Sequence, residues 1–392
     1  MNQTYPVGRF APTPSGRMHL GNVFAALIAW LSVRSRQGEM VLRMEDLDTQ
    51  RTSADFADIL RGDLAWLGLT YDRETPPQSQ RSAAYANDFE ILRDKGLIYP
   101  CYCTRSQLHS VNAPHLSDGT YVYTGTSRIL QTPPPNRVPA WRVMVPDKLW
   151  TVEDKVQGHY ELNLLTQCGD MVVRRADGVY VYQLAVTVDD GEAGVTEVVR
   201  GMDLLSSAPR QMYLQELFGF PHPEYGHVPM LLAPDGRRLS KRDKDLDLGD
   251  LRKHVTPEAL IGTLAFASGL IDRNVPISAR ELAGEFAWEK LKGDSIYLNA
   301  KQLLYIQEGR IWILPFLVAA WLSQRKRQVI VLVTERYAFC RISNDYKFAD
   351  SGCGSEPLHS ARCIDPAARR RKLPGYGRYP KWQPHPAIVP AG

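Results

Sequence analysis

The sequence predicts an α/β protein with a mostly parallel sheet, an inserted α+β subdomain and a small C-terminal helical region. An apolar segment at residues 6–10 predicts the end of a buried strand, and residues 21–34 predict a helix that is apolar on most faces. Residues 39–44, also apolar, predict a second buried strand. Strands that alternate with helices along a chain favour a parallel sheet.

Composition indicates an ordinary globular protein of two or three domains, since 44% of the 392 residues are hydrophobic and 23% are charged. The N-terminus lacks a charged and then apolar leader. The longest apolar run, residues 311–322, is too short to span a bilayer and contains Pro315. We therefore expect a cytoplasmic protein with no membrane partner.

Charge is distributed unevenly along the chain. The net charge is +4, yet residues 301–392 hold 15 Lys and Arg against 6 Asp and Glu, so the first 300 residues are acidic overall. The overall charge therefore gives no support for nucleic-acid binding by the body of the protein, although a local basic strip could still contact phosphates.

The segment between the first strand and the first helix is a loop rich in Pro, Gly and Ser. Gly16 and Gly21 allow the backbone to approach a ligand closely, and the free amides at the start of a helix favour an anion. His19 lies in this loop. A single histidine in a loop more often has a structural role, so the spacing alone is a weak signal.

The whole string RFAPTPSGRMHLGN, residues 9–22, resembles the nucleotide-binding signature of class I aminoacyl-tRNA synthetases in its glutamyl-type form. The "HIGH" motif of that family corresponds to His19, Leu20, Gly21 and Asn22. The resemblance implies a class I synthetase Rossmann-like sheet and binding of ATP with Mg²⁺. It also implies ATP contacts from Gly16, His19, Gly21 and Asn22, with His19 and Asn22 catalytic. Asn22 replaces the second histidine, but its amide can still donate a hydrogen bond.

A basic loop at residues 237–243 resembles the second signature of the class, "KMSKS". Its residues 238–242 read RLSKR. The resemblance implies that Ser240 and Lys241 contact the triphosphate of ATP and that Lys241 is catalytic. A mobile lysine suits this role because it can close on the phosphate oxygens as charge shifts. Without the first signature, the same loop is more typical of a solvated surface.

The resemblance also implies a pocket for glutamate. Glu45 follows the second strand and is expected to contact the α-amino group, whereas a solvated acidic turn is the alternative. Arg9 is expected to face the side-chain carboxylate, with Arg200 in the same pocket; either could instead form an interdomain salt bridge. Tyr182 is expected within a strand at residues 177–190. Neighbouring backbone completes the predicted pocket: Phe10, Ala11, Pro12 and Thr13.

Six cysteines in so long a chain do not indicate a disulfide framework, but Cys101 and Cys103 form a C-x-C pair. The family places a zinc site in this insertion, with a Y-x3-C pattern supplying Tyr123 here. Ser127 occupies the last thiolate position, and a hydroxyl is a poor zinc ligand. We expect a metal-free insertion, although His109 or His115 could in principle replace the missing ligand.

The predicted organisation has five segments. They are two catalytic halves at residues 1–100 and 177–250, an insertion at 101–176, a helical region at 251–308 and a tail at 309–392. The tail does not match the family and has no sustained periodicity, which indicates disorder or an aberrant extension. A basic RNA-binding arm is the alternative, since seven Lys and Arg against one Asp follow residue 360.

The details point to one branch, the glutamyl-queuosine tRNA(Asp) synthetases, which resemble the catalytic half of a glutamyl-tRNA synthetase. Membership implies formation of glutamyl-adenylate from L-glutamate and transfer of glutamate to the queuosine base of tRNA(Asp), by a protein expected to be a monomer. Two alternatives stay open: a shortened glutamyl-tRNA synthetase that charges tRNA(Glu), and a noncatalytic RNA-binding relative.

Overall fold

The structure is a computed structural model, and it describes residues 5–104, 122–123, 125–129, 134–237, 247–299, 302–303 and 306. Among these residues, no helix has the length and apolar character needed to cross a membrane.

Two groups of parallel strands lie side by side. The first has the order β1 (Val7–Phe10), β2 (Glu39–Leu42) and β3 (Arg73–Glu74), and all of its pairs are parallel. The second contains β9 (Glu197–Gly201) and β10 (Glu224–Val228), which are also paired in parallel. This confirms the predicted parallel sheet.

The two groups meet at β1 and β9. The backbone N–H of Thr196, just before β9, donates to the carbonyl of Val7 at 2.9 Å. Further along both strands, Arg9 reaches the carbonyl of Val199. From β1 the chain adds strands in one direction, through β2 to β3. From β9 it adds β10 in the opposite direction, so the strand order reverses between β1 and β9, which makes this a topological switch point. In open α/β sheets, ligands bind in the crevice beside the carboxyl ends of the strands at such a point.

Helix α1 (Leu20–Arg34) covers the sheet beside β1 and forms the centre of the main core. It is apolar on most sides because its residues meet both the sheet and the helices that follow, and Leu20, Val23, Leu27 and Leu31 are all fully buried. The predicted helix at residues 21–34 is therefore confirmed.

Helix α2 (Ala54–Trp66) begins at a serine cap, where the Ser53 hydroxyl accepts from the N–H of Phe56. Helix α3 (Ser82–Asp94) follows it and packs into a second core beneath the insertion. These two helices hold the chain against the sheet, as expected for scaffold elements.

The insertion is built mainly from strands in its described part. Strands β4 (Ile98–Cys101), β5 (Ala140–Val143) and β8 (Met171–Arg174) form a small antiparallel sheet. Strands β6 (Leu149–Asp154) and β7 (Gly158–Asn163) form a hairpin, and β6 pairs with β10 at the edge of the parallel sheet. One short helix, α4 (Leu164–Gln167), follows the hairpin. The insertion thus extends the main sheet through its hairpin.

Helix α5 (Tyr182–Glu192) corrects the prediction of a strand at residues 177–190. Its residues from Leu184 to Asp190 are all buried, so the sequence shows a continuous apolar run instead of an amphipathic period. A short buried helix and a buried strand cannot be distinguished by such a run. Helix α6 (Ser207–Phe218) then leads to β10.

Beyond β10, the pair β11 (Leu231–Leu232) and β12 (Ile296–Tyr297) brackets a region of short helices. Helix α7 (Leu248–Leu251) begins slightly before the predicted helical region at residues 251–308. Helix α8 (Pro257–Ala267) starts at the cap Thr256, and α9 (Ala279–Ala283) starts with a capping box at Ser278. The predicted helical region is therefore present. The tail at residues 309–392 lies outside the described residues.

Candidate active site

The loop between β1 and α1 has the geometry of an anion-binding loop. Gly16 has φ +146°, a conformation that residues with a side chain rarely adopt. No acidic residue occupies the first turn of α1, so its N-terminal amides keep their positive potential. A phosphate or a carboxylate fits this end of the helix.

His19 is the N-cap of α1, and its Nδ1 accepts a hydrogen bond of 3.1 Å from the backbone N–H of Gly21. A Cβ at position 21 would lie only 3.1 Å from Cε1 of the ring, so a larger residue there would push the imidazole from this position. Because Nδ1 accepts, the neutral ring carries its proton on Nε2. His19 can therefore act as a hydrogen-bond donor through Nε2.

A cavity of about 930 Å³ opens at the carboxyl ends of β1, β9 and β10. Every predicted binding residue in the described part of the chain lines it: Arg9, Phe10, Ala11, Pro12, Thr13, Gly16, His19, Gly21, Asn22, Glu45, Tyr182 and Arg200. The cavity thus contains both the helix terminus and the polar groups expected for an amino acid.

On one side of the cavity, Arg9 is fixed in a buried network of charges. Its Nη1 donates to the carbonyl of Val199 at 2.9 Å, and its Nε lies 3.7 Å from the Asp190 carboxylate. Asp190, on α5, also accepts from Arg43 at 2.5 Å. Asp190 therefore contacts two guanidinium groups, and one of them, Arg9, lines the cavity and retains donors for a ligand.

Glu45 lies beside this network and contacts Arg43 at 3.1 Å. Burial raises the pKa of the Glu45 carboxyl above its ordinary value, although Arg43 acts in the opposite direction. A ligand ammonium group would supply the charge that favours the carboxylate form. Glu45 is therefore suited to hold the α-amino group of an amino acid. Tyr182 stands at the start of α5, and burial raises its pKa as well.

On the other side, Arg200 occupies β9 with only 5% of its surface exposed. Its Nε donates to Nε2 of His227 at 2.9 Å, and its Nη1 donates to Oε1 of Gln211 at 2.8 Å. A third bond of 3.3 Å joins Nη2 to the carbonyl of Leu204. Arg9 and Arg200 thus approach one cavity from adjacent strands, an arrangement that suits a ligand with two carboxylates.

The residues predicted at the zinc position do converge, but their chemistry does not fit zinc. The Tyr123 hydroxyl lies 3.8 Å from the Cys101 sulfur and 3.9 Å from the Cys103 sulfur, and the Ser127 hydroxyl lies 3.3 Å from Cys103. Structural zinc requires four good ligands, and a serine hydroxyl is not one of them.

A cation already accompanies the cysteine cluster. Arg142 donates from Nε to the Cys101 sulfur at 3.2 Å and stacks over the ring of Tyr123. Although burial raises the pKa of the Cys101 thiol, the hydrogen bonds from Ser127 and Arg142 lower it overall to about 7. No group of three His, Cys, Asp or Glu side chains that could hold a metal occurs among the described residues. His109 and His115 lie outside that part of the chain.

Comparison with known proteins identifies the family. Residues 7–266 match the family described as tRNA synthetases class I (E and Q), catalytic domain. The chain is 41% identical to the glutamyl-Q tRNA(Asp) synthetase of Symbiobacterium thermophilum, with 77% of this chain and 98% of that protein covered. It is 42% identical to the one from Nitratidesulfovibrio vulgaris, with 71% and 90% covered. The chain belongs to the glutamyl-Q tRNA(Asp) synthetase family.

The fold of this glutamyl-Q tRNA(Asp) synthetase family member is also found among solved structures. A glutamate tRNA ligase from Elizabethkingia meningosepticum, solved in complex with its amino acid, matches with a TM-score of 0.67 and 25% identity. The match covers 83% of this chain and 74% of that one. These comparisons confirm the resemblance and the class I synthetase fold, and they show that the protein is an enzyme of the ligase type.

For this synthetase, the individual roles of the site residues stay predictions. Ser240 and Lys241 of the second signature lie outside the described residues. The sequence interpretation missed Asp190 and His227, which hold the two arginines. A pair of acidic residues after the apolar run, Asp189 and Asp190, and a histidine inside an apolar strand were the available signals. Asp48 and Arg51, to which the sequence interpretation gave no binding role, also line the cavity.

Proposed function

We propose that the protein activates L-glutamate with ATP and Mg²⁺ and transfers the glutamyl group to the queuosine base of tRNA(Asp). The observation that carries this proposal is the single cavity in which Arg9, Arg200 and Glu45 surround the space beside the N-terminus of α1. Two guanidinium groups and one carboxylate match the two carboxylates and one ammonium of glutamate. The names of the 41–42% identical relatives supply the acceptor.

In the first step, an oxygen of the glutamate α-carboxylate attacks the α-phosphorus of ATP, and the bond to pyrophosphate breaks. Negative charge grows on the phosphoryl oxygens during this step. We assign the stabilisation of that charge to the amides at the start of α1 and to the Nε2–H of His19, since preorganised donors need no reorganisation during the reaction. We assign the triphosphate contacts of Lys241 and Ser240 and the donor role of Asn22 to the same step.

In the second step, a hydroxyl of queuosine attacks the carbonyl of the mixed anhydride, and AMP leaves. The adenylate is already activated, so the principal task of the protein is to position the acceptor. We propose that the acceptor is tRNA(Asp) that carries queuosine, and that the enzyme acts as a monomer in the cytoplasm. The insertion requires no zinc for this chemistry.

The test begins with exchange of labelled pyrophosphate into ATP in the presence of glutamate and without tRNA. We expect exchange with glutamate and at most weak exchange with aspartate or glutamine. Glutamine lacks the side-chain carboxylate, and aspartate holds its two carboxylates closer together than glutamate does. Transfer of labelled glutamate is then measured with queuosine-containing tRNA(Asp), unmodified tRNA(Asp) and tRNA(Glu).

Transfer only to the queuosine-containing tRNA is the expected result. Exchange that requires tRNA, with charging of tRNA(Glu), would replace the proposal with a shortened glutamyl-tRNA synthetase. An absence of exchange with every amino acid, for a folded protein, would favour the noncatalytic relative.

A further inference from the structure

A buried histidine connects the inserted hairpin to the amino-acid pocket. His227, on β10, has no exposed surface. Its Nδ1 lies 2.5 Å from the carboxylate of Asp154 at the end of β6, and its Nε2 accepts from Nε of Arg200. Three side chains on three adjacent strands thus form one line that ends at the cavity.

The direction of the bonds fixes the protonation of His227. A guanidinium can only donate, so Nε2 must be the acceptor and the proton must be on Nδ1, which donates to Asp154. Burial, together with the nearby positive charge of Arg200, lowers the pKa of His227 to about 4 despite the opposing effect of Asp154. The ring is therefore neutral at pH 7 in the form that Arg200 requires.

The same bond limits the freedom of Arg200. A guanidinium has five N–H donors, and here Nε–H, one Nη1–H and one Nη2–H are directed at His227, Gln211 and Leu204. The two other N–H groups, one on each terminal nitrogen, have no hydrogen-bond partner among the described residues, and Arg200 lines the cavity, so they are available to a carboxylate there. Such a fork is effective only when its plane is fixed, because a bidentate pair has a strict geometry.

Attachment of the hairpin to β10 explains the contacts of Asp154 but does not explain the bond from Arg200 to Nε2 of His227. Asp154 accepts from the backbone N–H groups of Val156, Gln157 and His227, so it fastens the hairpin to β10 by itself. The bond between Nδ1 of His227 and Asp154 strengthens the same attachment of the hairpin to β10. The Nε2 bond contributes nothing to the attachment of the hairpin, and its effect falls on Arg200.

We propose that His227 is a positioning residue that orients the Arg200 guanidinium toward a carboxylate of the amino-acid substrate. Asp154 fixes the tautomer that allows this. The inference rests on the proposed function, because it assigns the ligand of Arg200 to glutamate. The inserted hairpin thereby contributes to the amino-acid pocket without contacting the substrate.

Two amide substitutions test the Nδ1 hydrogen bond and the Nε2 hydrogen bond of His227 separately. In His227→Asn, the side-chain N–H₂ can replace Nδ1 and satisfy Asp154, but no acceptor reaches Arg200. In His227→Gln, the longer side chain can place its oxygen near the position of Nε2 and accept from Arg200. His222→Gln is the matched control, since His222 is an exposed histidine away from Arg200 that hydrogen-bonds to the carbonyl of Met212 and packs edge-to-face on the Trp150 ring.

The measurements are KM for glutamate and KM for ATP in pyrophosphate exchange. We expect His227→Asn to raise the glutamate KM about tenfold or more, the size of effect that one hydrogen bond to a charged group has. His227→Gln should stay within about threefold of the wild type, since the charged donor keeps a partner. The ATP KM should stay unchanged in both variants, as should both constants in His222→Gln.

Three outcomes would overturn the inference. One is a glutamate KM in His227→Asn that equals the wild-type value, and another is a larger effect in His227→Gln than in His227→Asn. If the variants fail to fold, ¹⁵N NMR of the wild-type chain decides, and a proton on Nε2 of His227 at neutral pH would be the third. A folded wild-type chain without any glutamate-dependent exchange would instead overturn the proposed function, and the inference with it.

Discussion

Replacing Ser127 with cysteine should create a zinc site in the insertion. The variant supplies the thiolate that is missing from the cluster of Cys101, Cys103 and Tyr123. Ser127 is buried, and its hydroxyl lies 3.5 Å from the Cys101 sulfur and 3.3 Å from the Cys103 sulfur. The new sulfur therefore enters a cluster that is already assembled.

The distances in this cluster agree with those of a tetrahedral metal site. Zn–S bonds of about 2.3 Å and Zn–O bonds of about 2.0 Å place neighbouring ligands about 3.5–3.8 Å apart. The four measured separations among these groups run from 3.3 to 3.9 Å. Arg142 can stay in place, since metal-bound thiolates commonly accept hydrogen bonds from a surrounding shell.

Zinc that binds the folded state of Ser127→Cys, but not the unfolded state, stabilises the folded state. Free zinc at about 100 times its Kd stabilises the folded state by about 2.7 kcal/mol. For a chain of this size, that free energy raises Tm by about 3–5 °C. We expect about one zinc per chain in Ser127→Cys after treatment with a chelator and equilibration with limiting zinc, and a zinc-dependent rise in Tm.

The assay is zinc content by elemental analysis, together with the absorption of the cobalt-substituted protein. Ser127→Ala removes the hydroxyl without adding a thiol and serves as the control, and neither it nor the wild type should retain zinc. A Ser127→Cys protein that holds no more zinc than the control would refute the geometric argument. A wild-type chain that keeps one zinc through the chelator would refute the claim that its donors do not suit the metal.

Three further predictions concern the pocket, the buried histidine and the tail. Arg9→Gln should raise the glutamate KM about 10- to 100-fold in pyrophosphate exchange and leave the ATP KM unchanged, because a charge-assisted bond to the substrate is lost; equal losses for both substrates would contradict this. Because the pKa of His227 is lowered to about 4, the unfolded chain binds more protons between about pH 4 and 6.5, so stability is lost as pH falls through this window. At pH 5 this costs about 2 kcal/mol relative to pH 7, and urea unfolding of His227→Asn should show a smaller loss than the wild type; parallel pH dependences would argue against a neutral histidine. Deletion of residues 309–392 should leave both exchange and glutamyl transfer to queuosine-containing tRNA(Asp) within about twofold of the full chain, as the tail shows no packing period; a loss of transfer with exchange preserved would favour the alternative of an RNA-binding arm.

Features that depend on neighbouring residues were predictable from the sequence. The β1 loop, helix α1 and the caps at Ser53 and Thr256 all result from interactions within a few positions. The pocket residues were found because the loop string carries a recognisable signature. Every one of them that the structure describes lines a single cavity.

Features that depend on distant partners were not predictable. Helix α5 was predicted to be a strand because burial on nearly all sides removes the helical period from its sequence. Asp154 and His227 meet across 73 positions of the chain, and Asp190 and Arg43 meet across 147. No local pattern indicates such pairs, so the support behind Arg9 and Arg200 became visible only in the fold.

The most direct test of the central claim is a crystal structure of the protein with a nonhydrolysable analogue of glutamyl-adenylate. The account predicts that the phosphate lies at the N-terminus of α1 within hydrogen-bond distance of His19. It also predicts that the glutamyl group lies between Arg9 and Arg200, with its amino group on Glu45. An analogue bound outside this cavity, or a glutamyl group that touches neither guanidinium, would contradict it.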